Sequence, residues 1–160
     1  MKGKRLLLIG LFLSLALLSI GCGGQATAGR DETETTDAPV VSHGGAVDDY
    51  VSLVDSLRSA GATVEPGDSV EQAIFEPVVG QIIKVNGQDV QVFEFESEES
   101  AQTAAETISL DGSSTSTTMI TWIATPHFYR AGKVIVLYVG DDSGVLSVLA
   151  EVLGEQFAGG

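Results

Sequence analysis

Two places in this chain carry side chains with chemistry to offer. The first is Cys22, the only cysteine of the sequence, which has no disulfide partner and no neighbours of metal-ligand type. The second is Trp122-Ile123-Ala124-Thr125-Pro126-His127-Phe128-Tyr129-Arg130, which holds the only tryptophan and one of two histidines. Trp122, His127, Phe128, Tyr129 and Arg130 could form a ligand cradle or a partner hot spot, because Trp, Tyr and Arg combine large contact area with a polar handle. Aromatic clusters belong to a core more often than to a site. On that reading Trp122, Phe128 and Tyr129 plug one end of the core, while His127 and Arg130 bond nearby backbone or the acidic surface.

Signatures of catalysis are weak. His127 can be combined with Asp141 or Asp142 and Ser143 as a nucleophilic constellation, but no G-x-S-x-G elbow supports it. Asp141 and Asp142 are better explained as helix-start residues, where carboxylates meet unpaired N–H groups. Gly80, Gly87 and Gly112 are isolated turn glycines, not a phosphate-cradling loop, and neither H-E-x-x-H nor a D-x-D-x-D-G calcium loop occurs. No catalytic residue, metal site or cofactor is therefore expected.

Cys22 gains meaning from what precedes it. Lys2, Lys4 and Arg5 are followed by an apolar run, Leu6 to Ile20, and then by small residues. That is the layout of a secretory signal peptide, and the run is shorter than the about 20 residues of a membrane span. Leu18-Ser19-Ile20-Gly21-Cys22 resembles the lipobox of bacterial lipoproteins, although Ser19 stands where Leu is usual. The resemblance implies that residues 1–21 are a lipoprotein signal peptide, cut before Cys22, and that Cys22 is acylated on its sulfur and new amine. More than one buried chain gives stable anchoring, at about 0.8 kcal/mol per buried CH₂. An ordinary cleaved secretory peptide remains as the alternative, although no A-x-A-like cleavage site is present. A retained signal anchor is a weaker one.

Removal of the leader takes Lys2, Lys4 and Arg5 with it and moves the formal net charge from −14 to −17. Such a chain repels nucleic acid and anionic surfaces, so no nucleic-acid partner is expected. Residues 22–46 are rich in Gly, Thr, Asp and Glu, with Asp31 to Asp37 at their centre and His43 near their end. Such a segment cannot bury enough surface to offset its chain entropy and is expected to be a flexible acidic tether.

Residues 47–160 are sized for a single α+β domain. Val47, Tyr50, Val51, Val54 and Leu57 recur at helical spacing behind Asp48 and Asp49, and Gly61 is the stop. A short strand over Ala62 to Glu65 would end at the turn cluster Pro66-Gly67-Asp68. Gly80 to Val85 and Asp89 to Glu96 read as strands joined at Asn86-Gly87, a type I′ hairpin signal. Ser97 is an N-cap for a helix lined by Ala101, Ala104, Ala105 and Ile108, and Asp111 to Ser116 is a loop. Thr117 to Ala124 reads as a strand, Thr125 to Gly132 as its connection and Lys133 to Val139 as a central strand. A third helix follows Asp141-Asp142-Ser143 and carries Val145 to Phe157. The expected architecture is a two-layer sandwich: about three helices on a mostly antiparallel sheet of four to five strands, with a suggested ββα repeat.

The segment from Asp49 to Phe157 is similar to small bacterial lipoprotein domains that carry Pro-His-Phe-Tyr-Arg-x-Gly, here Pro126 to Arg130 and Gly132, before an apolar strand and an acidic helix start. That resemblance implies no particular activity. The function expected is that of a lipoprotein held on the extracytoplasmic side of the cell membrane, with a domain that binds or assembles. The alternatives are a cell-envelope hydrolase using the His127 region and a purely structural envelope component. Expected partners are membrane lipid through acylated Cys22 and either another protein or a second copy, paired through an uncovered sheet face at Val134 to Val139.

Overall fold

The computed structural model describes residues 46–160. The expected signal peptide (1–21), Cys22 and the expected tether (22–46) with His43 lie outside the described residues, apart from Ala46. The domain is α+β, with one wholly antiparallel sheet of six strands, where four to five were expected. In chain order the strands are β1 (Val64–Glu71), β2 (Val79–Val85), β3 (Gln88–Glu94), β4 (Pro126–Ala131), β5 (Val134–Val139) and β6 (Ala158–Gly159). In space they run β1-β2-β3-β5-β4-β6. The helices are α1 (Tyr50–Ser59), α2 (Glu98–Glu106) and α3 (Ser143–Leu153), with a 3₁₀ turn at Ala73–Phe75.

Local sequence explains most of the boundaries. Asp49 caps α1, its carboxylate accepting from Ser52 N at 2.8 Å while the Ser52 hydroxyl accepts from Asp49 N at 2.9 Å, a reciprocal capping box. Gly61, at φ +88°, ends it: Gly61 N donates to Arg58 O and Ala62 N to Leu57 O, the bonds of a Schellman motif. Asn86 and Gly87, at φ +50° and +84°, make the primed turn between β2 and β3 that matches strand twist. Asp142 caps α3 through Gly144 N at 2.9 Å and Val145 N at 3.0 Å. The helix stops at Leu153, so Phe157 is not on it but packs in the core on the other side of the sheet.

Three strand expectations are corrected. β1 does not end at Pro66-Gly67-Asp68; it passes through them with a one-residue bulge between Pro66 and Ser69, which an edge strand tolerates because Pro has no N–H to lose. Thr117 to Ala124 is not a strand but an irregular stretch carrying one isolated bridge, Ser114 with Met119. The supposed connection is itself β4, paired in register with β5 from Pro126↔Val139 to Ala131↔Val134, and the true turn is Gly132-Lys133.

Layering differs too. Along β5, Val134, Val136 and Tyr138 join Leu53 and Leu57 of α1 and Val145 and Leu149 of α3 in one core. Ile135, Leu137 and Val139 join Ala101 and Ala105 of α2 in a second core on the opposite face. The sheet is thus the middle of three layers, not one side of a two-layer sandwich. Residues Val134 to Leu137 have no exposed surface, so the uncovered face expected there for pairing two copies is absent. The order ββα does recur, but a two-fold axis relating the antiparallel neighbours β3 and β5 would put α2 and α3 on one face. They lie on opposite faces, so the recurrence is one of order only.

The start of the domain is fastened to the β4–β5 turn. Lys133 N donates to Asp48 O at 2.9 Å, and Phe95 N donates to Lys133 O at 2.8 Å. Glu94 then spans the junction, with Lys133 Nζ at 2.9 Å and Tyr50 N at 3.2 Å, and its carboxylate pushes the Lys133 ammonium pKa up.

Candidate functional site: a groove beside the second helix

The aromatic segment does not form one cradle, because successive residues of β4 point to opposite faces. Phe128 faces the α2 side, where Trp122 meets it edge-on at 5.9 Å and Phe157 lies at 6.0 Å. Tyr129 is buried on the α1/α3 side, and burial pushes its phenol pKa up. His127 shares that side, stacked on Tyr138 at 6.1 Å. Arg130 reaches Glu98 Oε1 at 3.7 Å, a partly exposed pair that contributes little. The structure therefore joins Trp122 to Phe128 and separates both from His127 and Tyr129.

His127 is 7 % exposed. Its Nδ1 lies 2.7 Å from Gln156 Oε1, while Gln156 Nε2 donates to the Gly159 carbonyl at 3.0 Å. That second bond fixes the amide orientation, so Oε1 accepts and Nδ1 carries the proton. Nε2 is then left buried with no partner. The histidine ties the chain end to β4, where β6 pairs His127↔Gly159 and Phe128↔Ala158.

Trp122 has its polar atom satisfied by Gly112 O at 2.8 Å. Gly112 sits in a turn built by Asp111, whose carboxylate accepts from Ser109 Oγ at 2.6 Å, Ser113 Oγ at 2.7 Å and Ser113 N at 3.1 Å. Those bonds, the Ser109 hydroxyl foremost, lower the Asp111 pKa from 3.8 to about 2. A carboxyl that titrates lower when folded supports the turn above its free value of about 3.9 and loses it as pH falls through the folded one. Trp122 emission should accordingly hold steady down to pH 3 or so and red-shift with a midpoint near 2. Asp111→Ala should show the shifted emission at neutral pH. A wild-type midpoint near 4 would mean the serine bonds do not hold the carboxylate.

The concave feature best suited to a ligand lies elsewhere, between α2 and the segment around the 3₁₀ turn. Ala101 and Ala105 are the residues α2 buries against the sheet, and their small size lets the helix approach closely. Phe75 is driven into the core, 4.5 Å from Phe93 and 6.0 Å from Phe95, and a cis Glu76–Pro77 bond follows. Between the two runs a groove of about 700 Å³. Phe75, Val78, Phe95 and Ala104 give it an apolar lining; Glu76, Glu96 and Glu99 stand among its polar residues, and no basic residue lines it. Its size and mixed lining are those of a small-molecule or peptide side-chain site. A recess of about 260 Å³ continues it past Ile74 and Thr107 to Thr115–Thr118.

Sequence reasoning passed over this groove. The clue was Ile74-Phe75-Glu76-Pro77-Val78, apolar residues on either side of Glu-Pro with no helix or strand period. Among the described residues no three His, Cys, Asp or Glu side chains are grouped to hold a metal ion, and no helix is long and apolar enough to cross a membrane. No family model, curated protein or solved structure matches the chain.

Proposed function

We propose that this chain is a lipoprotein of the bacterial kind, held at the extracytoplasmic face of the cell membrane through acylated Cys22, whose domain binds a ligand or protein partner in the groove beside α2. The lipobox-like Leu18 to Cys22 supports the anchor. The groove carries the binding half of the reading: it offers an apolar floor with three carboxylates and no basic side chain, which suits an apolar group bearing a cationic handle. A hydrolase built on His127 is less well supported, since that ring is buried and its Nδ1 is held by Gln156.

Each half has its own test. Radioactive palmitate should label the wild-type chain and not Cys22→Ala; persistent labelling would remove the anchor. For the groove, a photo-crosslinking residue at exposed Thr103 should capture a partner in intact cells, and Ala104→Phe, which fills the floor, should abolish that capture. Capture that is indifferent to Ala104→Phe counts against the groove.

A further inference from the structure

The connection between α2 and β4, residues 107–125, holds large apolar side chains out in water. Leu110 is 85 % exposed, Met119 88 % and Ile123 100 %. Single exposed hydrophobic residues are ordinary, but several on one loop mark a contact surface. The loop is folded back on itself by its own bonds: Trp122 Nε1 is bonded to Gly112 O, Ser109 N donates to Ser114 O at 2.8 Å, and Ser114 pairs with Met119.

The second observation concerns charge. From Gly112 to Tyr129 there is no Asp, Glu, Lys or Arg, in a chain whose formal net charge is −14. Charge is what a hydrocarbon boundary penalises most, whereas Trp is enriched at the headgroup level and Leu, Ile and Met side chains gain by entering the acyl boundary. Ser113 to Thr118 are all Ser or Thr, and their hydroxyls can bond within the loop or to headgroups.

We infer that residues 112–123 form a membrane-contacting surface, with Met119 and Ile123 entering the bilayer interface, Trp122 close to headgroup level and Asp111 at the water-facing edge. A lipid on Cys22 would limit how far the domain strays from the bilayer; this surface sets which way the domain faces. The inference rests on the reading that the domain is displayed at a membrane, and its test is arranged to be independent of natural acylation.

Trp122 is the only tryptophan of the chain and Cys22 its only thiol, so both can be addressed without substitution. Both cores lie within the described residues 46–160, so a chain starting at Cys22 keeps them whole. That chain is coupled through Cys22 to a maleimide lipid in phosphatidylcholine vesicles whose acyl chains are brominated near the headgroup. Trp122 fluorescence should be quenched relative to unbrominated vesicles, and the quenching should vanish in Met119→Ser/Ile123→Ser. That double variant should melt with the wild type, since both side chains lie outside the core. Absence of quenching in the wild type, as expected of a surface that fits a protein instead, overturns the inference. Equal quenching in the double variant does so as well. A failed palmitate experiment would remove the anchor and leave this result standing.

Discussion

Phe93→Ala is expected to cost about 3–5 kcal/mol of unfolding free energy and to abolish binding in the groove with it. Phe93 is fully buried on β3, packed against Phe75 at 4.5 Å, and Phe75 is part of the groove lining. A methyl group added at Gly80 would come within 2.6 Å of the Phe93 ring, so the ring crosses the neighbouring strand where only glycine leaves room. Removing the ring deletes its own burial, opens a cavity and takes the support from beneath Phe75. Urea unfolding should show a lower midpoint with an unchanged slope. A loss below about 1 kcal/mol would mean that the second core collapses around the gap and that the groove does not depend on it.

Gly132→Ala should be nearly as damaging, although it adds one methyl to a turn. Gly132 has φ +48°, a region where a residue with a side chain costs about 1–3 kcal/mol. Its new Cβ would also lie 2.5 Å from both the Cα and the carbonyl oxygen of Asp48, so backbone must move. Gly132→Asn separates the two penalties, because Asn tolerates positive φ but brings the same Cβ. If crowding against Asp48 dominates, thermal unfolding places Asn beside Ala; if it places Asn beside wild type, the close approach is relieved cheaply.

Features governed by neighbours in the chain were legible. Asn86-Gly87 announced its hairpin because both positions need positive φ, and Ser97, Asp142 and Gly61 marked helix ends because unpaired N–H and C=O groups demand them. What was misread depended on distant partners. Thr117 to Ala124 has strand-like residues, but its short bridge leads nowhere, whereas Pro126 to Ala131 found β5 on one side and the chain end on the other. Pro66-Gly67-Asp68 has the composition of a turn and serves as a bulge because β2 lies alongside. The double-sided apolarity of Val134 to Val139 correctly identified a central strand, yet whether helices covered both faces depended on α2 and α3 crossing to opposite sides. Of the aromatic patch, Phe128 and Tyr129 are buried as expected, but not at one end of one core: alternation along β4 separates His127 and Tyr129 from Trp122 and Phe128, and His127 meets Gln156 rather than backbone or the acidic surface. The aperiodic run at Ile74 to Val78 marks only one wall of the groove, and nothing local ties it to the other, Phe95 to Thr107.

The fastening of Asp48 to the β4–β5 turn bears on how the domain withstands force. Tension applied to the chain ahead of Val47 would reach Asp48 before it reaches the helical turns of α1, and Asp48 is bonded to Lys133 at the tip of the central hairpin. Such a pull would be shared by Glu94, which grips both Lys133 and Tyr50, and would then run into the middle of the sheet. Peeling α1 away turn by turn would require that junction to give first.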